Sequence, residues 1–179
     1  MTLGLKPRNL KLRRASLVTK KTKTMDNISS HITYSEAIFS QNAIDNKIDN
    51  TPTAEHLEAM KYVAENIFER VRAHFGKPIR INSFYRGSKV NAITPNASKT
   101  SQHSRGEAID VNGVPYGIKN SEIFHYIKDN LDFDQLIWEF GDSKEPQWVH
   151  FSLSMKGNRR DVKKAIKGAD NKPAYIPFR

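Results

Sequence analysis

A histidine and an aspartate stand seven residues apart across a glycine in residues 101–110, Ser-Gln-His-Ser-Arg-Gly-Glu-Ala-Ile-Asp. A neutral imidazole and a carboxylate are both good zinc ligands, and a catalytic zinc ion usually takes three protein ligands and leaves one position for water. The third ligand is predicted to be His150, in the alternating run Trp-Val-His-Phe-Ser at residues 148–152. We therefore predict that His103, Asp110 and His150 bind one zinc ion.

The spacing of these ligands also predicts two strands that carry them. Residues 108–111 are expected to form a strand entered through a turn at Gly106, where the absence of a Cβ lets the chain reverse closely. Because side chains alternate along a strand, Asp110 shares a face with Ala108, whose small side chain leaves room for an ion. The same alternation places His150 on the site face of its own strand, so two neighbouring strands could present ligands to one point.

The two motifs together resemble a known signature, Ser101-x-His103-x-x-Gly106-x-Ala108-x-Asp110 followed by Trp148-x-His150. The signature is that of the zinc D-alanyl-D-alanine carboxypeptidase family, which includes phage L-alanyl-D-glutamate endopeptidases and the related amino-terminal domain of hedgehog proteins. The resemblance runs from about residue 52 to residue 154. It implies a zinc-dependent peptidase that acts on peptides containing D-amino acids, the peptidoglycan stem peptides.

The expected fold class is α+β, with a small, mainly antiparallel sheet and helices on one face. A long helix is predicted from Thr51, as its N-cap, to a stop at Gly76. Its apolar residues recur at helical spacing and are expected to enter the core: Leu57, Met60, Ala64, Ile67, Val71 and Phe75. A second helix is predicted over residues 121–130, and residues 88–100 are predicted to form a polar loop.

The resemblance implies a role for Arg86, which follows a predicted strand over residues 79–84. In that family an arginine at this strand end lies near the zinc ion and steadies the substrate carbonyl or carboxylate. A guanidinium offers a fixed fork of donors to an oxyanion. The alternative is a surface arginine in a salt bridge. Ser101 is expected to hydrogen-bond the ligand loop or the substrate, and Trp148 is expected to contact the substrate.

The general base is predicted to be Glu139. Many zinc peptidases of this kind place a carboxylate three residues before the last histidine, but this chain has Gln147 there, which cannot take up a proton. The hedgehog-like branch has a glutamate at the end of the preceding strand, and Glu139 in Trp-Glu-Phe matches that position. Glu145 and Asp142 on the following loop are alternative bases. A further alternative is that Glu139 only orients a ligand histidine.

The 179 residues suit one domain with extensions. We predict a basic disordered tail over residues 1–24, a zinc peptidase domain over residues 25–155 and a basic C-terminal extension over residues 156–179. The extension is expected to hold a short element and a tail that packs, if at all, through Tyr175, Ile176 and Phe178. Of the net charge of +10, eight positive charges lie in the tail, which has no acidic residue.

Composition excludes some classes of protein and leaves others open. The chain has no cysteine, which excludes disulfides and thiolate metal sites, and it has no apolar run long enough to span a membrane. We expect no secretory signal, because residues 1–24 lack the apolar segment of one. We expect a monomer, made in the cytoplasm and acting on the cell wall after release, as a phage lysis enzyme does. The alternative is a non-catalytic, zinc-stabilised module that binds the cell wall or nucleic acid. Gln147 leaves the non-catalytic zinc module open, because a site without a base would only bind. Only the charge of the tail supports binding of nucleic acid.

Overall fold

The computed structural model describes residues 1, 27–169 and 172–179 of the chain. The basic tail predicted for residues 1–24 therefore lies, except for Met1, outside the described residues. The α-helices of the described part are α1 (Tyr34–Ala37), α2 (Gln41–Asp45), α3 (Ala54–Val63), α4 (Glu69–Phe75), α5 (Ser88–Ile93) and α6 (Asn120–Asn130). Its strands are β1 (Arg80–Ser83), β2 (Ala108–Asn112), β3 (Gln135–Glu139), β4 (Trp148–Ser152), β5 (Asp161–Lys167) and β6 (Pro173–Pro177).

The six strands form one open sheet in the order β1-β2-β4-β3-β5-β6. Neighbouring strands run antiparallel except β3 and β5, which run parallel. The prediction of an α+β fold with a mainly antiparallel sheet and helices on one face is confirmed. None of the described helices combines the length and the apolar character needed to cross a membrane.

The predicted long helix is present and contains a π-helical turn. Helices α3 and α4 are joined without a break by the turn Ala64–Phe68, and Gly76 ends the helix at a φ of 62°. The N-cap is Thr53, whose hydroxyl accepts a hydrogen bond from the His56 N–H. The prediction of Thr51 as the cap is wrong, because both the backbone N–H and the hydroxyl of Thr51 donate to the side chain of Asp49.

The core lies between this long helix, α6 and one face of the sheet. The helix contributes the apolar side chains at its predicted stripe, of which Met60, Ala64, Ile67 and Val71 are buried. The sheet contributes residues that alternate with the site-facing positions, namely Ile109, Val111, Leu136, Val149 and Phe151. Each large aliphatic or aromatic side chain buried in this way stabilises the fold by roughly 1.5–3 kcal/mol relative to an exposed one. The opposite face of the same strands is thereby left for the functional residues.

Two segments differ from their predicted structure. The predicted polar loop over residues 88–100 begins with helix α5, which buries Val90 and Asn91 against the domain. Within residues 156–179, two strands take the place of the predicted short element and tail. Strand β5 pairs in parallel with β3, and β6 closes that edge of the sheet. The apolar pattern of β5 is weak, because lysines lie among its apolar residues on both of its faces. The predicted division into domains stays a prediction.

Candidate metal centre

The side chains of His103, Asp110 and His150 converge on the face of the sheet opposite the core. Asp110 on β2 and His150 on β4 are direct cross-strand partners. His103 lies in a short 3-10 helix, Gln102–Arg105, immediately before β2. The candidate ligand atoms of these three residues all lie within 4.8 Å of one another. The sequence-predicted ligands are therefore brought together in the structure.

The ring of His103 is held by the backbone at the end of β1. Its Nδ1 lies 2.7 Å from the carbonyl oxygen of Phe84, so Nδ1 carries the proton and donates it. The other ring nitrogen, Nε2, is then unprotonated in a neutral ring and faces Asp110 Oδ2 at 3.3 Å. The N–H of Arg86 also donates to the carbonyl of His103. These bonds point a lone pair of the buried His103 side chain at the cluster.

Gly106 is the point where the ligand turn docks against the long helix. Its φ is 74°, in the left-handed region that favours glycine. A Cβ at this position would lie 2.6 Å from the carbonyl oxygen of His56 and 2.6 Å from the Cγ of Met60. Both the backbone conformation and the close approach of α3 therefore require glycine, as the sequence predicted for this turn.

The donor set fits a zinc ion. His150 Nδ1 lies 2.8 Å from Asp110 Oδ1, while its Nε2 is buried and has no hydrogen-bond partner among the described residues. Burial alone would raise the pKa of Asp110, but its interactions with His103 and His150 outweigh burial and lower that pKa well below its usual range. Two imidazoles around one ionised carboxylate form the nitrogen and oxygen donor set that zinc prefers.

Glu139 lies in the same cavity, at the end of β3. It is the cross-strand partner of Trp148 on β4, and only 6% of its surface is exposed. Burial raises the pKa of Glu139 to about 7; the charge of Asp110 adds to this increase and that of His150 opposes it. A carboxyl group with such a pKa can both accept and return a proton near neutral pH.

The two alternative bases have structural partners instead. Glu145 accepts hydrogen bonds from the N–H groups of Asn120 and Ser121 at the start of α6, and from the Ser121 hydroxyl. Asp142 accepts from the N–H groups of Lys144 and Glu145. Neither side chain lines the cavity, whereas Glu139 does. Of the three candidate bases, Glu139 is thus the one that the fold brings to the metal cluster.

The predicted substrate-binding residues surround the same cavity, which has a volume of about 920 Å³. Arg86 is half-buried, and its Nη2 donates to Ser101 Oγ at 3.3 Å. Its Nε is buried without a hydrogen-bond partner among the described residues, so the guanidinium keeps donors for a ligand. Trp148 is half-buried beside the ring of Phe140, at a centroid distance of 5.4 Å. Arg86, Ser101 and Trp148 all line the cavity.

His56 and Tyr175 also line the cavity, and neither is predicted as a site residue from the sequence. His56 lies on α3, and its Nδ1 is 2.9 Å from the hydroxyl of Tyr85. Tyr175 lies on β6. A signal for Tyr175 is present in the alternation of residues 173–177, which places the tyrosine on the opposite face from Ala174 and Ile176.

An α+β domain with a His-Asp-His cluster beside a buried glutamate has the features of a metal-dependent hydrolase. Comparison with protein families makes the class specific, because the family described as Peptidase M15 matches residues 30–152, more than half of the chain. The chain belongs to the peptidase M15 family and is a zinc-dependent peptidase. The predicted family resemblance is thus confirmed. Searches of curated proteins and of solved structures found no match.

Proposed function

We propose that the protein hydrolyses peptide bonds in peptidoglycan stem peptides, with zinc held by His103, Asp110 and His150. The single observation that carries this proposal is that the three ligand atoms lie within 4.8 Å of one another in a cavity that also contains Glu139 and Arg86. A binding module would need the metal cluster but not a buried carboxyl group beside it. The cavity therefore favours catalysis over binding alone.

The roles of the protein groups follow from their positions. A bound zinc ion would supply an acidified water molecule and polarise the substrate carbonyl. Glu139 accepts a proton from the water as the water oxygen adds to the carbonyl carbon, and Arg86 donates hydrogen bonds to the carbonyl oxygen. Glu139 then returns the proton to the peptide nitrogen as the carbon–nitrogen bond breaks. The products are a carboxylic acid and an amine, which ionise to a carboxylate and an ammonium ion, and Glu139 is ready for another cycle.

The substrate bond is either D-Ala-D-Ala, which defines a D,D-carboxypeptidase, or L-Ala-D-Glu, which defines an endopeptidase. Both bonds occur in peptides that contain D-amino acids. This is the substrate class implied by the family resemblance of residues 101–110 and His150. We further propose that the protein is a phage-type lysis enzyme that meets the cell wall after release from the cytoplasm. The cavity is open to solvent and lined by both charged and aromatic residues, which suits a charged, extended peptide.

The test is mass spectrometry of purified muropeptides incubated with the zinc-loaded protein, with and without a chelator. Release of D-alanine identifies the carboxypeptidase, and cleavage between L-alanine and D-glutamate identifies the endopeptidase. Chelation should abolish either product, and added zinc should restore it. If the zinc-loaded protein leaves every muropeptide intact but still binds them, it is the non-catalytic module instead.

A further inference from the structure

Strand β6 brings Tyr175 to the site face of the sheet. In the register of the sheet, Glu139 on β3 is the partner of Ala165 on β5, and Ala165 is the partner of Tyr175 on β6. The three side chains therefore form one row on the same face. The middle member is a buried alanine, whose methyl group leaves space above it. The phenol ring and the carboxyl group can approach each other across that space.

The hydroxyl of Tyr175 is available to a ligand. Half of the residue is exposed, it lines the cavity, and its hydroxyl has no hydrogen bond to any described residue. Desolvation, together with the negative charges of Glu139 and Asp110, raises the pKa of Tyr175 to about 12, while the charge of Arg86 opposes this. The phenol is thus a protonated donor at neutral pH, and the charged groups that act on it are Glu139, Asp110 and Arg86.

We propose that Tyr175 is a catalytic residue that donates a hydrogen bond to the carbonyl oxygen of the scissile bond as negative charge develops there. This inference rests on the proposed peptidase function and extends it. Arg86 follows β1 at one edge of the sheet, and Tyr175 lies on β6 at the other edge. The two donors therefore reach the cavity from opposite sides.

Tyr175 lies in the C-terminal strands, outside the part of the chain that the family model matches. The family match ends at residue 152, whereas β5 and β6 lie beyond it, over Asp161–Lys167 and Pro173–Pro177. The parallel pairing of β5 with β3 is what carries the following strand to the site. A donor aimed at a developing oxyanion in a partly desolvated cavity acts mainly on the transition state, so its loss should lower kcat more than it changes KM.

The experiment compares wild type, Tyr175→Phe and the control Tyr116→Phe on the muropeptide that the wild type cleaves. Tyr116 is an exposed tyrosine at the end of the short 3-10 helix Val114–Tyr116 and lies outside the cavity lining, so its variant is a control for the loss of a phenol hydroxyl elsewhere. For Tyr175→Phe we expect zinc content and melting temperature to be unchanged and kcat to fall about 10²-fold, with KM within about threefold of wild type. Binding of a phosphinate analogue of the cleaved dipeptide, measured by calorimetry, should weaken by about the same factor as kcat/KM.

The outcomes separate this inference from the proposed function. Unchanged kcat and unchanged phosphinate affinity in Tyr175→Phe, with an active wild type, would overturn the role of Tyr175 alone. A raised KM with unchanged kcat would also overturn it, because Tyr175 would then bind a remote part of the substrate. Loss of zinc from the variant would make Tyr175 a structural support of the metal cluster. Wild-type protein that cleaves no muropeptide would overturn both proposals.

Discussion

Asp110 and His150 face each other across strands β2 and β4, with Asp110 Oδ1 at 2.8 Å from His150 Nδ1. This relationship depends on the register of the two strands, because a shift by one residue would turn His150 to the core face. The core residues Val149 and Phe151 flank His150 and are almost completely buried, so such a shift would also expose them. The packing of the core therefore holds the metal cluster in place.

The first prediction concerns metal binding. His103→Ala and His150→Ala should each lose most of the bound zinc, because two protein ligands hold a catalytic zinc ion poorly. The measurement is the zinc content of each dialysed variant by inductively coupled plasma mass spectrometry. His125→Ala is the matched control. Because His125 is exposed on α6 and lies outside the metal cluster, this variant should bind as much zinc as the wild type. One full equivalent of zinc in either ligand variant would disprove the site.

The second prediction concerns the base. Glu139→Gln should keep the fold and the zinc, because the amide is nearly isosteric with the carboxyl group. Its kcat should fall by about 10²-fold or more, the usual scale for a positioned proton acceptor. Steady-state kinetics and zinc content are measured together. Loss of zinc would instead show that Glu139 orients a ligand, and normal turnover would show that Glu139 is not the base.

The third prediction concerns Arg86. Arg86→Lys should retain zinc yet turn over substrate more slowly, because an ammonium keeps the charge but lacks the planar fork of donors. Kinetic constants for this variant are compared with those of Arg70→Lys, whose residue is exposed and lies outside the cavity lining. Equal rates for both variants would mean that Arg86 has only a structural role through its bond to Ser101.

The fourth prediction concerns the pH dependence of stability in metal-free protein. The folded-state pKa of Glu139 is raised from 4.5 to about 7, so the native state binds a proton that the unfolded state releases between these values. The stabilising contribution is complete below about pH 4.5 and is lost as pH rises through about 7, a change of about 3 kcal/mol. Denaturant unfolding at several pH values should show this loss in wild type and not in Glu139→Gln.

The lowered pKa of Asp110 acts in a different window. Its contribution is present above the unfolded value of 3.8 and is lost as pH falls below it, so it does not interfere with the test of Glu139. If wild type and Glu139→Gln lose stability in parallel between pH 4.5 and 7, the pKa of Glu139 is not raised.

The fifth prediction uses two glycines with similar backbone conformations. Gly76→Ala should cost about 1–2 kcal/mol of unfolding free energy, because its φ is 62° but no atom lies within 4 Å of the added Cβ. Gly106→Ala should cost clearly more, about 3 kcal/mol or above, because its Cβ also overlaps the backbone of His56 and the side chain of Met60. Equal losses of unfolding free energy in the two variants would mean that the turn at Gly106 can move away from α3 at little cost. Zinc affinity should fall only in Gly106→Ala.

Much of the site could be predicted from the sequence because its signals are local. The spacing of His103, Gly106 and Asp110 specifies a turn and the start of a strand, and strand alternation assigns each following side chain to one face. The apolar stripe that includes Met60 and Ile67 recurs at the period of a helix, and it predicted the main core helix. In each case the residues that decide the outcome lie within a few positions of one another.

The tertiary structure alone decided that the C-terminal strands join the site. Sequence spacing does not indicate that β5 pairs in parallel with β3, because such a pairing is set by long-range packing and the lysines of β5 hide its apolar pattern. That pairing is what places Tyr175 in the cavity. The sequence resemblance already favoured Glu139 over Glu145, and the fold supplies the physical reason, since burial raises the pKa of Glu139 while the start of α6 engages Glu145. Burial and long-range pairing are properties of the folded chain, and no local pattern contains them.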